Sequence, residues 1–169
     1  MSDLISVGTG FNTYEEQDKI LVGISGGVNS SVCVNILQQQ GFSVEGVVID
    51  FSHEYENTVK MASEVAKKLG IPLHVENCHD LFSQSDCKCE TEDIFKILLD
   101  VADRLGINYI ATGHYAKVDT NDNGIYYIDK AESAECDQSY MLDKLSQNVL
   151  ERLSLPLGEF LKEDINEMV

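Results

Sequence analysis

The sequence predicts an α/β fold built on a doubly wound parallel sheet, and three observations predict it. Short apolar runs alternate with amphipathic helical patterns up to about residue 111. Each helical pattern ends in a glycine just before the next apolar run. The phrase Val65-Ala66-Lys67-Lys68-Leu69-Gly70-Ile71 is echoed by Val101-Ala102-Asp103-Arg104-Leu105-Gly106-Ile107, so one helix-to-strand junction is used twice. Strands joined through helices pair in parallel, with right-handed crossovers and helices covering both faces.

The elements follow in order. Residues 1–18 show no clear period and read as a peripheral arm, leaving 19–169 as the folded domain. Residues 19–24 are a short apolar run ending near glycine, the signature of a buried strand. Val28, Val32, Ile36 and Leu37 then recur at helical spacing until Gly41. Residues 44–50 form a valine-rich second strand, and Val59, Ala62, Val65, Ala66 and Leu69 a second helix. Residues 72–76 are a third strand, and 77–90 a polar loop. Ile94, Leu98, Val101, Ala102 and Leu105 mark a third helix, followed by a fourth strand over 107–111. Asn121-Asp122-Asn123-Gly124 between two apolar runs signals a small β-hairpin. Helical patterns resume over 139–152 and from Gly158 to the C-terminus.

Composition bounds the function. The chain has 169 residues, 43% hydrophobic, which suits one soluble domain. No apolar run reaches the ~20 residues of a membrane span, and the first residues lack a signal-peptide pattern. The expected setting is therefore cytoplasmic, with no membrane partner. Five cysteines cannot form a complete disulfide framework, so they read as core fillers, metal ligands or reactive thiols. Twelve Lys+Arg against 29 Asp+Glu give a net charge of −17, which argues against a strong autonomous grip on nucleic acid.

The chemistry concentrates at the first strand-to-helix turn, Ser25-Gly26-Gly27-Val28-Asn29-Ser30-Ser31. Main-chain N–H groups at a helix N-terminus lack partners and carry partial positive charge, so they receive anions. Gly26 and Gly27 allow a phosphate close to the main chain, and the serines add hydroxyls. The turn lacks the Gly-Lys-Ser/Thr of a Walker A loop and the G-x-G-x-x-G of a dinucleotide fold. Ligands of such sheets sit beyond the strand carboxyl ends, where strand order reverses. Residues 25–31, 50–53 and 112–115 all fall at strand ends and should meet in one crevice.

Ser25-Gly26-Gly27-Val28-Asn29-Ser30 resembles the Ser-Gly-Gly-x-Asp-Ser signature of PP-loop ATP pyrophosphatases. Gln38-Gln39-Gln40-Gly41, Leu69-Gly70-Ile71-Pro72, Ala111-Thr112-Gly113-His114-Tyr115-Ala116, Asp137-Gln138-Ser139-Tyr140-Met141-Leu142 and Pro156-Leu157-Gly158 follow in the order of the tRNA-specific 2-thiouridylase family. The resemblance spans roughly residues 19–169. It implies an adenine nucleotide alpha hydrolase-like fold and cleavage of ATP, with Mg²⁺, to AMP and pyrophosphate. The adenylated oxygen belongs to a wobble uridine of tRNA, and sulfur from a cysteine persulfide then displaces AMP.

Carried over by motif, Gly23, Ile24, Ser25, Gly26, Gly27, Val28, Asn29 and Ser30 hold the triphosphate, Ile49 meets adenine, and Gly113 meets the nucleotide. His114, Asp137 and Gln138 approach the tRNA, and Cys89 matches the first catalytic cysteine. A sulfur donor such as a cysteine desulfurase or relay protein is implied as a partner. The sequence also departs from the pattern. Asn29 replaces aspartate, Cys136 replaces a lysine, and the loop before Cys89 lacks a long insert. The family's second cysteine is expected beyond position 169, and its central domain and C-terminal barrel are expected to be absent, which leaves room for a partner chain or an oligomer.

Other residues carry weaker readings. Cys33 falls in a helix pattern and reads as core. Cys78, His79, Cys87 and Cys89 crowd one loop, where Cys78, Cys87 and Cys89 would suit zinc or an iron–sulfur cluster. Ordinary loop thiols and a persulfide-bearing Cys89 are the competing readings. His53 reads as a loop histidine, Tyr126 and Tyr127 as hairpin packing, and Lys60, Glu64, Lys67 and Lys68 as a solvated face. Three functions stand at this point: tRNA thiolation, adenylation or thiolation of a small acceptor, and a nucleotide- or partner-binding module that has lost metal affinity through Asn29.

Overall fold

The computed structural model describes residues 18–25, 27–51, 56–82 and 90–168. The expected arm, Gly26, His53, Cys87 and Cys89 lie outside the described residues, save for Asp18 at the end of the arm.

Five strands form one parallel sheet in the order β3-β2-β1-β4-β7. They are β1 (Lys19–Gly23), β2 (Ser43–Asp50), β3 (Leu73–Asn77), β4 (Tyr109–Ala111) and β7 (Leu153–Ser154). The hairpin β5 (Ala116–Thr120) and β6 (Tyr126–Lys130) pairs antiparallel beside it. The helices are α1 (Val28–Gln39), α2 (Glu56–Leu69), α3 (His79–Phe82), α4 (Thr91–Leu105), α5 (Gln147–Leu150) and α6 (Lys162–Glu167).

Alternation along β1 divides the core, because successive side chains point to opposite faces. Ile20 and Val22 pack with Cys33, Val34 and Leu37 of α1 and with Ala62 and Ala66 of α2. Leu21 packs with Phe95, Leu98, Val101 and Ala102 of α4, joined by Leu142, Val149 and Leu150. A third cluster seats Val32 and Ile36 of α1 against Tyr115, Leu157 and Ile165. The chain therefore winds from β1 to β3 along one face, then crosses through α4 to β4 on the other side of β1. The reversal of strand order lies between β1 and β4, where the sequence places the ligand crevice.

The repeated junction is real: α2 and α4 end at Gly70 (φ 70°) and Gly106 (φ 72°), in the left-handed region glycine occupies cheaply. After each, the next residue still donates back into the helix, Ile71 N–H to Ala66 O and Ile107 N–H to Ala102 O. That closing bond holds Ile107 out of the sheet, so β4 begins at Tyr109 and not at 107 as the apolar run predicted.

Other elements differ from the sequence reading for local reasons. The segment after β3 is not polar loop throughout: Asn77 Oδ1 accepts from His79 N–H at 2.9 Å and opens the single turn α3. The helix expected over 139–152 is broken into a 3-10 turn, Ser139–Met141, and the short α5, which Ser146 caps by accepting from Val149 N–H. Strand β7 was missed because two residues leave no periodicity. Beyond it come a 3-10 turn, Pro156–Glu159, and α6. Val28, assigned to the apolar stripe of α1, is 53% exposed, since the first helical turn projects past the sheet.

Candidate active site

A cleft of about 510 Å³ opens at the carboxyl ends of β1 and β4, within the range of small-molecule sites. Three chain segments build it: the β1–α1 turn through Gly23, Ile24, Ser25, Asn29 and Ser30, the end of β2 through Ile49 and Phe51, and Thr112, Gly113 and His114 after β4. Gln138 closes one side, and Ile94 and Leu98 of α4 form an apolar wall.

The α1 mouth is shaped for an anion. Gly27 is its N-cap in extended conformation, no side chain caps it, and its first turn carries no acidic residue. The first N–H groups of the helix thus face outward without helical partners. Ser30 is buried and donates its hydroxyl to Gly27 O at 3.0 Å, which holds the turn; Ser25 is exposed. Gly113 presses against this turn: a Cβ there would lie 3.0 Å from the carbonyl carbon and oxygen of Asn29 and 3.2 Å from its Cβ.

The neighbouring side chains are held from below. Thr112 Oγ1 and His114 Nδ1 are 2.8 Å apart, and the imidazole lies 5.9 Å from the Phe95 ring. Burial holds its pKa below the ordinary imidazole value of 6.5, so the ring is neutral near pH 7. The Tyr115 hydroxyl lies 3.5 Å from Asn29 Oδ1, and burial raises its pKa.

Gln138 and Asp137 are committed within the protein. Gln138 Oε1 accepts from Tyr115 N–H at 2.9 Å, and its own N–H donates to Tyr115 O at 2.7 Å. Asp137 accepts from Ala131 N–H at 2.9 Å, from Ser139 N–H at 3.3 Å and from the Ser139 hydroxyl at 2.7 Å. Burial pushes its pKa up, but these bonds outweigh that and hold it below the usual carboxylate range. Asp137 therefore staples a turn, whereas Gln138 both staples and lines the cleft.

Of the residues the motifs singled out, Gly23, Ile24, Ser25, Asn29, Ser30, Ile49, Gly113, His114 and Gln138 meet at the cleft. Gly27 and Val28 open α1 beside it, and Asp137 is bonded to Ala131 and Ser139 and does not line the cleft. Cys89 falls one residue before the α4 N-cap Glu90 and five before the wall residue Ile94, outside the described residues. Phe51 also lines the cleft, as expected for the 50–53 segment, whereas Thr58 was not anticipated; only its place early in α2, close after β2, could have signalled it.

The described cysteines behave differently from one another. Cys33 is sealed in the core, and burial pushes its thiol up to about 12. Cys78 is buried, and burial followed by Glu76 raises its pKa. His79 Nε2 lies 3.0 Å from Asp50 Oδ1 beside it. Cys136 is half-buried against the third core cluster. Among the described residues no group of three His, Cys, Asp or Glu could hold a metal ion, and no helix is long and apolar enough to cross a membrane.

A family model described as the tRNA methyl transferase HUP domain matches residues 18–86 and 83–169. The tRNA-specific 2-thiouridylase MnmA of Hydrogenovibrio crunogenus is 35% identical over 175 residues, covering 89% of this chain and 46% of that protein. The tRNA-specific 2-thiouridylase MnmA of Pediococcus pentosaceus is 34% identical over 181 residues, covering 92% of this chain and 48% of that protein. A solved structure titled as a predicted subunit of tRNA methyltransferase, from Methanocaldococcus jannaschii, shares 20% identity at a TM-score of 0.48, covering 89% of this chain and 73% of that one. The chain spans about half the length of the curated relatives it matches. With both stretches of the family model matched, this chain belongs to the tRNA methyl transferase HUP domain family.

Proposed function

We propose that this domain binds ATP in the cleft and adenylates an oxygen on an acceptor, as the first half of a sulfur transfer to a tRNA uridine. The observation that carries the reading is the convergence of the uncapped α1 mouth with Gly113 and the apolar end of β2 in one cleft. The triphosphate would lie on the main-chain amides of α1, and the adenine against Ile49 and its neighbours.

The reaction balances as follows. The acceptor carbonyl oxygen attacks the α-phosphorus, the α–β phosphoanhydride bond breaks, and pyrophosphate leaves. A persulfide sulfur on Cys89 then attacks the activated carbon, and AMP leaves with the oxygen. A second thiol, brought by a partner protein or a small-molecule thiol, then attacks the Cys89 sulfur, forms a disulfide with it and releases the thiolated base as the leaving thiolate. Holding the phosphates in line supplies proximity, and fixed amide dipoles stabilise charge that develops on them. Neutral His114, fixed by Thr112, can donate or accept a hydrogen bond at the acceptor without adding charge.

Magnesium fits the described lining poorly. Such ions are held through one or two carboxylates plus substrate phosphates, yet no carboxylate lines the described cleft, and Asn29 offers only an amide oxygen. An ion arriving with ATP would rest on phosphate and water, and no step is assigned to it.

The test is ATP–pyrophosphate exchange with and without tRNA. Exchange that requires tRNA supports the proposal, and ATP binding with no exchange in either condition refutes it. Exchange indifferent to tRNA would favour a small acceptor, a second reading to which the net charge of −17 lends weight. Thiolation of cytoplasmic tRNA would place the protein in the cytoplasm.

A further inference from the structure

The turn that closes the cleft presents a group with no structural task. Tyr140 is 72% exposed, above every other large apolar or aromatic side chain among the described residues. It makes no hydrogen bond or ring contact with any of them. Everything around it is fixed. Asp137 ties the turn to Ala131 and Ser139, Met141 N–H donates to Gln138 O at 2.9 Å, and Leu142 N–H donates to Ser139 O at 3.0 Å. Met141 packs on the core and Leu142 is fully buried. Gln138, two residues earlier, lines the cleft. Two Cα steps span at most about 7 Å, so the Tyr140 Cα lies within that distance of the Gln138 Cα, on a turn tied by these bonds.

A solvent-facing aromatic ring close to a cleft is an arrangement on which unpaired bases stack. We propose that Tyr140 is the stacking platform for the planar ring of the acceptor base, while Asp137 and Gln138 are positioning residues that hold the platform. The proposal rests on the reading that the cleft takes ATP and a base-bearing acceptor. Stacking is sequence-tolerant, because every base has a π-face. The platform would be occupied by an unpaired uridine, presented either in an RNA loop or as a free nucleoside.

The chain contains no tryptophan, so Tyr140→Trp installs a single indole at the rim. The full chain, parent and variants, would be titrated with an RNA hairpin bearing one unpaired uridine, with the same hairpin abasic at that position, and with uridine alone. ATP affinity would be measured alongside. Tyr140→Ala should weaken binding of the uridine hairpin about 5- to 150-fold, the range of a lost base–aromatic stack, with ATP affinity unchanged. Tyr140→Phe and Tyr140→Trp should retain binding, and the uridine hairpin should quench the indole more than the abasic one. Quenching by uridine while the hairpin does not bind would support stacking and identify a small acceptor. Hairpin affinity unchanged in Tyr140→Ala, an indole unquenched by bound hairpin, or binding of neither hairpin nor uridine would overturn the platform. Failure of the parent chain to bind ATP would sink the reading of the cleft, which the ATP arm reports separately.

Discussion

Replacing Gly113 with alanine tests the cleft at its tightest point. The added methyl would sit 3.0 Å from two main-chain atoms of Asn29 and 3.2 Å from its Cβ. Carbon atoms pack best at about 3.5–4.0 Å, so the two segments must separate by roughly half an ångström. Neither side yields easily. Asn29 is in the first turn of α1, and Gly113 follows the buried Thr112. Overpacking of this kind costs about 1–3 kcal/mol. The strain is relieved by pushing the α1 mouth away from the β4 end, which moves the amides out of line with the phosphates.

The expectation is an ATP dissociation constant raised at least ~10-fold, the equivalent of ~1.4 kcal/mol. The melting temperature should fall by only about 2–12 °C for the same cost in a domain of this size. Calorimetric titration with ATP, paired with a thermal melt, measures both. Gly158→Ala is the comparison: its Cβ would lie 1.7 Å from Ala116 O, and neither residue lines the cleft, so it should lower the melting temperature more than Gly113→Ala does. Gly113→Ala binding ATP within twofold of the parent would refute the claim that the Gly113–Asn29 contact sets the phosphate site.

Asn29→Asp should raise pyrophosphate release in the presence of Mg²⁺ and weaken ATP binding in its absence, because the carboxylate serves a cation but repels a bare triphosphate; release that is equal or lower with Mg²⁺ counts against the reading. His114 is held neutral by burial, so its depressed pKa contributes stability that is complete above about pH 6.5 and declines as pH falls below it toward the folded-state value, where the unfolded chain binds a proton first. Urea unfolding between pH 5 and 8 should show a shallower decline for His114→Gln than for the parent, and identical slopes would contradict the burial argument. No Lys or Arg lines the described cleft while the protein carries −17, so ATP should bind more tightly as monovalent salt screens the surface field. An affinity that falls with salt, as at a basic site, would show that a cation outside the described residues dominates.

Much of this was legible in the sequence because the information was local. The first two helices of the sheet, the glycines that end them and the hairpin turn each depend on residues a few positions apart. The convergence of residues 25–31 and 112–115 was also legible, through a topological rule that needs only the order of elements. What escaped was decided by tertiary context. Two residues of β7 pair with β4 because Arg152 O accepts from Ile110 N–H, a bond that no pattern within the strand announces. The broken helix over 139–152 reflects competition between Ser146 as a cap and a continuous apolar stripe. Thr58 reaches the cleft only because α2 starts close to the end of β2.

The site divides its labour by the kind of atom used. The proposed nucleotide side is made of main chain: amides at the α1 mouth, a glycine against that turn, and apolar walls that any hydrophobic side chain can supply. Such a site would tolerate Asn29 in place of a carboxylate, because its geometry does not pass through that side chain. On the same reading, the acceptor side would be made of side chains held by hydrogen bonds, with Thr112 fixing His114, Gln138 reciprocating with Tyr115, and Asp137 holding the turn that carries Tyr140. Substitutions on the first side should alter how ATP is charged and metallated while leaving it bound. Substitutions on the second should leave ATP untouched and change what is adenylated. That asymmetry follows from the structure: polar side chains can be exchanged one at a time, whereas the amides of a helix mouth move only together.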